Sequence, residues 1–405
     1  MTFRRDFDIE VPAPGQSSYD VLMVLNYYAP YVSGLSDSAK ILAESLVASG
    51  WKVAVATSHH DANLPRREIV NGVEIHRSRV IARVSKGVIS PAFPLSALYL
   101  ARKARLTHLH LPMLEAGPIA ALVGRNAKLI STYYCDINLP PGTLNRAAIR
   151  AIDISARLAI HRSTAITVLS HDYAGSSRLS DILTRERSTE VPPPCIDRSG
   201  GRPSFREGPG THVGFVGRMV EEKGVEYLVQ GFRRLRDPAA RLLLAGDYER
   251  VAGGSVVARA RQAAGGDPRI RLLGFLPDEA LADFYASLDI FALPSVNSLE
   301  AFGIVQVEAM MAGVPVITTD LPGVRLPVQQ TGFGVIVRPR DAAAIANAIT
   351  ALRDRPRSQK GRDEARAFYG RDMTVRRFVD TYRRIVPGLP DLTFNAGSLR
   401  DNSSG

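Results

Sequence analysis

The chain has 405 residues and a formal net charge of +11, and its residues are 45% hydrophobic and 22% charged. This balance is typical of a globular protein with two or three domains, and it excludes a disordered or fibrous chain. No uncharged apolar run approaches the roughly 18 residues that span a bilayer, and the first residues lack the apolar core of a signal peptide.

Charge distribution and cysteine usage narrow the class further. The basic residues are spread along the chain rather than gathered in one arm, so we expect no nucleic-acid partner. The two cysteines, Cys135 and Cys195, lack metal-ligand spacing or a disulfide framework. We therefore expect a cytoplasmic protein whose positive charge would suit an anionic ligand or the inner face of an anionic membrane.

Short apolar runs alternate with helical stretches through the first half of the chain. The run Asp20–Asn26 predicts a buried strand, and Ser36–Ser49 predicts the helix after it, with Gly50 as its C-cap. Such alternation favours parallel sheets covered on both faces, an α/β architecture. Further strands are predicted at Val53–Thr57, Val73–Arg77, Leu106–Leu111, Lys128–Thr132 and Ala165–Leu169.

The alternation stops at a segment rich in Pro, Gly and Ser and then restarts. This composition is typical of a linker. The predicted organisation is an N-terminal domain over 1–195, a linker over 196–210 and a C-terminal domain over 211–387, with a disordered tail over 388–405. A helical pattern at Ser358–Ile385 ends the fold, and its last helix could pack back on the N-terminal domain. Strands after the linker are predicted at His212–Val216, Leu242–Ala245, Ile270–Leu273, Ile290–Leu293, Val316–Thr318 and Gly334–Val337, with a helix at Val225–Leu235.

Two cations follow the first strand of the second half. This strand ends at Gly217, Arg218 comes next, and Lys223 lies where a helix is predicted to begin. Ligands of open α/β sheets bind outside the carboxyl ends of the strands, and a helix N-terminus offers free amide groups to an anion. Arg218 and Lys223 there would bind a diphosphate by charge-assisted hydrogen bonds, or they are solvated loop residues.

Two carboxylates lie eight residues apart after the strand that ends at Leu293. Glu300 precedes a predicted helix that opens near Phe302–Gly303, and Glu308 lies in its apolar stretch. If helical, that separation is about 12 Å, which suits a ligand with a sugar at one end and a ribose at the other. Gly303 lets the backbone come close, and the amides of 301–304 face the ligand. Glu300 alone could be an ordinary helix N-terminal charge, whereas Glu308 needs a partner.

Taken in order, these motifs resemble one large enzyme family. Phe-Val-Gly-Arg ending at Arg218, Lys223-Gly224, Leu-Ala-Gly-Asp over 244–247, Gly-Phe-Leu-Pro over 274–277 and Glu-x7-Glu over 300–308 are similar to the "group 1" retaining glycosyltransferases. The resemblance is strong over residues 212–355 and weaker over 20–190. It implies the GT-B fold, in which two Rossmann-like domains face each other across a cleft.

The resemblance also implies a reaction and roles for residues. A sugar would pass from a nucleotide diphosphate sugar to an unknown saccharide, lipid or small-molecule acceptor, without a metal ion or cofactor. Arg218 and Lys223 would neutralise the leaving diphosphate, and Glu308 would bind the ribose hydroxyls. Glu300 would hold the donor sugar. The backbone of the remaining nucleotide-sugar residues would complete the site: Gly217, Leu276, Ala301, Phe302, Gly303 and Ile304.

The N-terminal half offers fewer motifs. Relatives usually carry a Gly-Gly pair after the first strand, near the diphosphate, and this chain has Ser33-Gly34, so Gly34 would keep that contact. Tyr134 stands where relatives carry a histidine near the donor sugar. With His110 and Asp136, it is expected on the acceptor or donor-sugar side.

The histidines of this half do not predict a metal site. His108 and His110 end a predicted strand on one side, as core or cleft-lining residues, because further zinc ligands are missing. The segment His59–Asp61 falls in a probable surface loop.

Two questions stay open at this level. The stretch Arg83–Arg105 interleaves apolar and basic residues, which suits either a helix packed on the sheet or peripheral membrane contact. An epimerase of the same fold, or a degenerate nucleotide-sugar-binding protein, are the alternative functions. A nicotinamide-dependent enzyme is excluded because no Gly-x-Gly-x-x-Gly follows the first strand.

Overall fold

A computed structural model describes residues 17–84, 87–247, 256–355 and 357–393 of the chain. They form two mainly parallel sheets with helices on both faces, so the predicted α/β class with two Rossmann-like sheets is confirmed. The apolar runs become strands because a parallel strand is covered on both sides and excludes polar side chains.

The elements of the first half are numbered in chain order. Its strands are β1 (Tyr19–Val24), β2 (Val53–Ser58), β3 (Arg67–Val70), β4 (Val73–Ser78), β5 (Ala82–Val84), β6 (Gly87–Ile89), β7 (Ala104–Leu111), β8 (Leu129–Tyr133), β9 (Ala165–Val168) and β10 (Thr189–Glu190). Its helices are α1 (Gly34–Ala48), α2 (Ala92–Ala101), α3 (Ala116–Leu122), α4 (Thr143–Arg162) and α5 (His171–Ala174).

The first sheet has the strand order β10-β9-β8-β7-β1-β2-β4-β3, with β3 antiparallel to β4 and the other neighbours parallel. Strand β1 shows how the core is divided. Its residues Val21 and Met23 pack on the face covered by α1, whereas Leu22 and Val24 pack on the face covered by α2, α3 and α4. The carboxyl end of β1 leads into the loop before α1.

The second half repeats the arrangement. Its strands are β11 (His212–Val216), β12 (Arg241–Ala245), β13 (Ile270–Gly274), β14 (Ile290–Leu293), β15 (Val316–Thr319) and β16 (Gly334–Val337). Its helices are α6 (Val225–Arg233), α7 (Val257–Ala264), α8 (Asp278–Ala286), α9 (Ile304–Met311), α10 (Leu326–Thr331), α11 (Ala342–Leu352), α12 (Gln359–Tyr369) and α13 (Arg371–Ile385), and a short 3₁₀ turn, Glu221–Lys223, precedes α6. The strand order is β13-β12-β11-β14-β15-β16.

The strands that apolar runs predict are present with nearly the predicted bounds, and four short strands were not predicted. Strand β3 is exposed and carries charged residues, β10 has two residues, and β5 and β6 form a separate hairpin. None of them contains an apolar run. The hairpin also occupies the start of Arg83–Arg105, and α2 after it packs Phe93, Ala97 and Leu100 against the sheet, which favours the packed-helix interpretation of that stretch.

The chain crosses between the halves at two adjacent points. At the linker, the carbonyl of Cys195 accepts a hydrogen bond of 3.0 Å from the amide of Arg371, where α12 ends and α13 begins. Helix α13 then packs Val375, Phe378 and Tyr382 into the core around β1. The last predicted helix does pack back on the N-terminal sheet, although Ser358–Ile385 is two helices separated at Gly370 rather than one.

The start of the predicted tail is part of the fold. Leu389 is buried in the same core, and the carbonyl of Gly388 accepts a hydrogen bond of 3.0 Å from Arg105. The expectation of disorder therefore fails for 388–393, because α13 holds this segment against the sheet. Residues 394–405 lie outside the described part of the chain.

An ion pair joins the two halves beside the linker. The guanidinium of Arg325, just before α10, donates two hydrogen bonds of 2.7 and 3.1 Å to the carboxylate of Asp172 on α5, and the amide of Gly323 donates a third of 2.8 Å. Burial alone would raise the pKa of Asp172, but these hydrogen bonds outweigh it and hold the pKa below its usual value. Tyr173 adds a bond from its hydroxyl to the carbonyl of Ser298. These contacts fix the two sheets relative to each other.

Candidate active site

The carboxyl ends of β11 and β12 form the floor of the site. Gly217 follows β11, and a Cβ on the neighbouring Gly246 would lie 1.8 Å from the Gly217 carbonyl oxygen, so only glycine allows the two strand ends to approach this closely. The 3₁₀ turn after β11 then places Lys223 beside Gly217. A Cβ added at Gly217 would lie 3.8 Å from Cε of Lys223. The predicted cation is thus held at the strand end.

Lys223 and Glu300 form an ion pair between a lysine ammonium and a glutamate carboxylate. Their side chains are only 15% and 12% exposed, so the charges face each other in a shielded place. The side chain of Arg218, in contrast, is half exposed, and its guanidinium lies 3.6 Å from the carboxylate of Glu222. The structure brings Lys223 and Glu300 together, and it leaves Arg218 at the rim.

The segment between Glu300 and α9 presents unpaired backbone donors. The backbone amides of residues 301–304 donate no hydrogen bond to any described residue. Of these residues, Ala301, Phe302 and Gly303 are buried. Gly303 has a φ of +82°, and a Cβ there would lie 2.3 Å from the side chain of Leu293. N–H groups without an acceptor in the protein can donate to a ligand, so this segment is suited to an anionic or hydroxyl-bearing ligand.

The N-terminus of α1 lies against that of α9, beside the groove between the two sheets. A Cβ on Gly34 would lie 3.8 Å from the Cδ1 atom of Ile304, which places the two helix starts in contact. Ser33 caps α1 by accepting a hydrogen bond of 3.2 Å from the amide of Ser36. The start of α1 at Gly34 therefore lies beside the start of α9 at Ile304, and each helix has the positive end of its dipole at this start.

Glu308 has two partners that the sequence analysis did not identify. Its carboxylate accepts a hydrogen bond of 3.0 Å from the Tyr285 hydroxyl and lies 3.5 Å from Nε of Arg198, which belongs to the linker. Burial raises the pKa of Glu308, while Arg198 and Tyr285 oppose that rise. Arg198 also donates a hydrogen bond of 2.7 Å to Asp278, which lies just after Leu276. The carboxylate is thus held in place by a residue between the two sheets.

Asp37, in the first turn of α1, faces this group. Burial raises its pKa to about 7, and the nearby carboxylates of Glu308 and Asp278 add to the rise, opposed by Lys40 and Arg198. A carboxyl that binds a proton near neutral pH adds less negative charge to the groove than an ordinary aspartate would. This helps an anionic ligand to bind there.

Leu276 lies half-buried between β13 and α8, and its side chain packs against the larger core cluster. Its backbone is two residues before Asp278, and so it borders the group around Arg198.

Tyr134 and His110 are core residues. A hydrogen bond of 3.0 Å joins the Tyr134 hydroxyl to Nδ1 of His110, and the two rings are stacked. Both side chains are buried, and in the described part of the chain Nε2 of His110 has no hydrogen-bond partner. His108, beside them, is bonded to Tyr382 and Thr132. The expectation of His110 and Tyr134 on a substrate surface is therefore corrected: their polar atoms bind each other beneath the groove.

Asp136 also has a structural role. Its carboxylate accepts hydrogen bonds from the Tyr133 hydroxyl and from the amide of Arg178, and its own amide donates to the Tyr173 hydroxyl. These bonds occupy the carboxylate, so its predicted contact with substrate is replaced by a contact with the protein. Burial, and then the charges of Asp136 and Glu300, raise the pKa of Cys135 to about 12. Because the charge of Glu300 acts on Cys135, this segment still adjoins the site.

The two buried histidines predict a loss of stability in acid. Burial lowers the pKa of His110 to about 3 and that of His108 well below its ordinary value of about 6.5. Between those values the unfolded chain binds protons that the folded protein does not, so the free energy of unfolding should fall as the pH drops below about 6.5. The expected slope is about 1.4 kcal/mol per pH unit for each histidine.

Urea unfolding followed from neutral pH towards about pH 4 measures this slope. The variant His110→Gln should show a smaller slope than the unmodified protein, and His161→Gln, at an exposed position, should show the same slope. Equal slopes for His110→Gln and the unmodified protein would contradict the prediction.

The remaining histidines do not assemble a metal site. Among the residues that the structure describes, no group of three or more His, Cys, Asp or Glu side chains is placed to hold a metal ion. In the segment His59–Asp61, His59 bonds to the carbonyl of Leu64, and His60 packs edge-on against Tyr27 and Tyr31.

None of the described helices has the length and hydropathy to cross a bilayer.

Comparison with known families gives matches over both halves. The model described as Glycosyl transferase 4-like domain matches residues 33–194, and the model described as Glycosyl transferases group 1 matches residues 210–355. Together they cover more than two thirds of the chain.

Similar curated proteins are glycosyltransferases. The chain is 28% identical over 260 residues to the 2-deoxystreptamine glucosyltransferase of Streptomyces kanamyceticus, a match over 60% of this chain and 65% of that protein. It is 27% identical over 365 residues to an uncharacterized glycosyltransferase of Methanocaldococcus jannaschii, over 80% of this chain and 87% of that protein. The chain thus spans just under two thirds of the Streptomyces protein.

Solved structures share the architecture. The sucrose-phosphate synthase of Thermosynechococcus elongatus superposes with a TM-score of 0.71 at 20% identity, over 90% of this chain and 98% of that one. Anabaena HepE, solved in complex with UDP-glucose, superposes with a TM-score of 0.68 at 16% identity, over 90% of this chain and 100% of that one. These likenesses establish the GT-B fold. The two family models show that the chain belongs to the glycosyl transferases group 1 family.

Proposed function

We propose that the chain is a retaining glycosyltransferase that moves a sugar from a nucleotide diphosphate sugar to an acceptor hydroxyl without a metal ion. One observation carries the proposal. The ammonium of Lys223 lies beside the carboxylate of Glu300, which is followed directly by the unpaired amides of residues 301–304. Positive charge for a diphosphate and an acceptor for sugar hydroxyls are therefore next to each other.

The diphosphate would bind beside the two helix starts. The α1 start at Gly34 and the α9 start at Ile304 supply amide donors and positive dipoles, and Lys223 supplies a full charge. Arg218, half exposed at the rim, would turn from Glu222 to the diphosphate when the donor binds. The donor sugar would then lie at Glu300, and the ribose would lie at Glu308.

The reaction needs the leaving group to be stabilised more than it needs a base. In the proposed step the acceptor oxygen bonds to the anomeric carbon on the face from which the diphosphate departs, and the bond from that carbon to the phosphate oxygen breaks. The acceptor proton passes to the departing phosphate oxygen. The products are a glycoside with unchanged anomeric configuration and a nucleoside diphosphate. Lys223, Arg218 and the amides stabilise the negative charge that develops on the phosphate.

UDP-glucose is the first donor to test. The Streptomyces relative is named a glucosyltransferase, and HepE was solved with UDP-glucose. A donor that binds the folded protein at one hundred times its Kd should stabilise it by about 2.7 kcal/mol, which a thermal-shift assay detects. UDP-glucose, GDP-mannose and ADP-glucose should be compared on the unmodified protein and on Lys223→Ala, in which the response should be smaller but still present.

The product decides the mechanism. Nuclear magnetic resonance should show the donor's anomeric configuration retained in the glycoside, and transfer should continue in excess EDTA. An inverted product would contradict retention, and abolition by EDTA with rescue by a divalent ion would contradict metal independence. An altered free nucleotide sugar in the absence of acceptor would indicate an epimerase instead.

A further inference from the structure

Glu300 lies in the loop over residues 294–303, between β14 and α9. The second half of the chain holds the start of this loop, because the amide of Val296 donates a hydrogen bond of 2.9 Å to the carbonyl of Glu222. Glu300 comes four residues later, in a stretch that is neither strand nor helix. The position of its carboxylate therefore depends on what the rest of the loop contacts.

Tyr173, on α5 of the first half, contacts the loop on one side of Glu300. Its hydroxyl donates a hydrogen bond of 3.0 Å to the carbonyl of Ser298 and accepts one of 2.9 Å from the amide of Asp136. The side chain is only 3% exposed, so loss of the hydroxyl would leave both backbone groups without a partner. One phenol oxygen thus links the first half to a carbonyl two residues before Glu300.

Asp172, the residue before it, acts on the other side of Glu300 through Gly323. The carboxylate of Asp172 accepts the hydrogen bond of the Gly323 amide and pairs with Arg325. Gly323 is packed against the loop, because a Cβ there would lie 2.1 Å from the carbonyl oxygen of Ala301. Its φ of +77° also favours glycine. The loop is therefore held directly after Glu300 as well as before it.

These two contacts enclose Glu300 within the four residues 298–301. Its carboxylate also has partners in the second half, the ammonium of Lys223 and, at 3.4 Å, the hydroxyl of Ser295. They orient the side chain, whereas α5 fixes the backbone that carries it. A carboxylate binds a sugar hydroxyl only at a distance of about 2.5–3.0 Å. A shift of the loop by about 1 Å would therefore weaken that contact.

We propose that Asp172 and Tyr173 are positioning residues for the donor sugar, because they hold the loop over 294–303 where the Glu300 carboxylate meets the sugar hydroxyls. This role rests on the proposed function, in which Glu300 binds that sugar. The nucleotide contacts proposed above lie elsewhere, at Lys223 for the diphosphate and at Glu308 for the ribose. Loss of a contact from α5 should therefore weaken binding of the sugar and spare binding of the nucleotide.

Isothermal titration calorimetry of the whole chain with a nucleotide sugar and with its nucleoside diphosphate tests this role. The probes are UDP-glucose and UDP, or the GDP-mannose and ADP-glucose pairs where the thermal-shift comparison selects another base. In Tyr173→Phe, which removes only the bridging hydroxyl, the Kd of the nucleotide sugar should rise about 10-fold or more, and that of the nucleoside diphosphate should stay within about twofold.

Asp172→Ala tests the same role from the other side of Glu300. It should raise the Kd of the nucleotide sugar by about 3- to 10-fold, again without a comparable change for the nucleoside diphosphate. The Asp172 side chain is 24% exposed, so this variant should fold even where Tyr173→Phe does not.

Matched controls separate positioning from stability. Tyr382→Phe removes another buried phenol hydroxyl, which is bonded to His108, and Asp181→Ala removes another ion pair of the first half, with Arg157. Both variants should bind the two probes as the unmodified protein does, although Tyr382→Phe should unfold at a lower temperature.

A double variant shows whether the hydroxyl acts through Glu300. Glu300→Gln combined with Tyr173→Phe should bind the nucleotide sugar no more weakly than Glu300→Gln alone, because the contact to be positioned is already lost.

Three outcomes would overturn the positioning role and leave the proposed function standing. Equal weakening of both probes in Tyr173→Phe would assign the hydroxyl to stability alone, and unchanged binding of both would remove its effect on the site. A further loss in the double variant would place the effect outside Glu300. If the unmodified protein bound none of the three nucleotide sugars, the proposed function itself would fail, and the positioning role with it.

Discussion

Replacing Lys223 by alanine is expected to lower kcat/KM for sugar transfer by about 10²–10³, with the fold retained. Lys223 is a shielded cation of the site, held beside Glu300 and the strand end at Gly217. A group that stabilises charge only as the leaving group departs contributes more to the transition state than to donor binding, so kcat should fall more than KM rises.

Arg218→Ala should act in the same direction through the same phosphate. Its side chain is half exposed and lies 3.6 Å from Glu222, so it must reorient when the donor binds. We therefore expect part of its effect in KM. Lys360→Ala, at an exposed position on α12, is the matched control and should transfer sugar at the normal rate. Near-normal turnover in both Lys223→Ala and Arg218→Ala would refute the diphosphate assignment.

Lys223→Arg separates charge from position. Arginine keeps the positive charge but is longer and planar, and it cannot occupy the shielded place of the ammonium in the same way. We expect it to restore only part of the lost rate. Full restoration would show that positive charge near the groove is enough, whatever its geometry.

The sequence predicts the fold well because the central strands are apolar runs that only a parallel sheet explains. Val21–Val24 in β1 and Ile290–Leu293 in β14 are fully buried, and no other α/β placement would cover both of their faces. Strand β3 could not be found this way, because it is an exposed edge strand whose residues are set by its pairing with β4. Gly370, which divides the last two helices, carries no signal beyond being a glycine within a helical pattern.

The candidate site was predictable where the residue types are unusual for their place. Glu308 in an apolar helix required a partner, and the structure supplies Tyr285 and Arg198. Neither partner was predictable. The sequence around Tyr285 is that of an ordinary core aromatic residue, and Arg198 lies in a linker without a helical or strand pattern of apolar residues. The pairing of His110 with Tyr134 is likewise a contact across two strands, which no local pattern encodes.

Arg198 is the second residue whose loss should have a large effect. Replacing it by methionine leaves the buried carboxylate of Glu308 with Tyr285 alone and frees Asp278. Burial already raises the pKa of Glu308, and removal of the guanidinium raises it further, so the carboxyl loses charge at neutral pH. Loss of the charge that opposes the rise in the Glu308 pKa should weaken donor binding, and we expect KM for the donor to rise about 10- to 100-fold.

The pH dependence distinguishes this positioning role from simple loss of structure. Glu308 is ionised only above its pKa, so the KM defect of Arg198→Met should be largest between the pKa of Glu308 in the unmodified enzyme and its higher pKa in the variant. The defect should shrink as the pH rises above the pKa in the variant. Arg198→Lys should recover much of the affinity, and Arg202→Met, at an exposed position in the same linker, should change nothing. A defect that is constant with pH would contradict the mechanism.

A ribose-specific readout completes the argument, because Glu308 is proposed to bind the ribose hydroxyls. Inhibition by UDP and by 2′-deoxy-UDP should differ strongly in the unmodified enzyme and little in Glu308→Gln. If Arg198 acts through Glu308, then Arg198→Met should reduce the same difference, and the double variant should be no worse than Glu308→Gln alone. Because Arg198 comes from the linker and Asp37 from α1, that result would link donor binding to the relative position of the two sheets. Additive losses would instead separate Arg198 from the ribose.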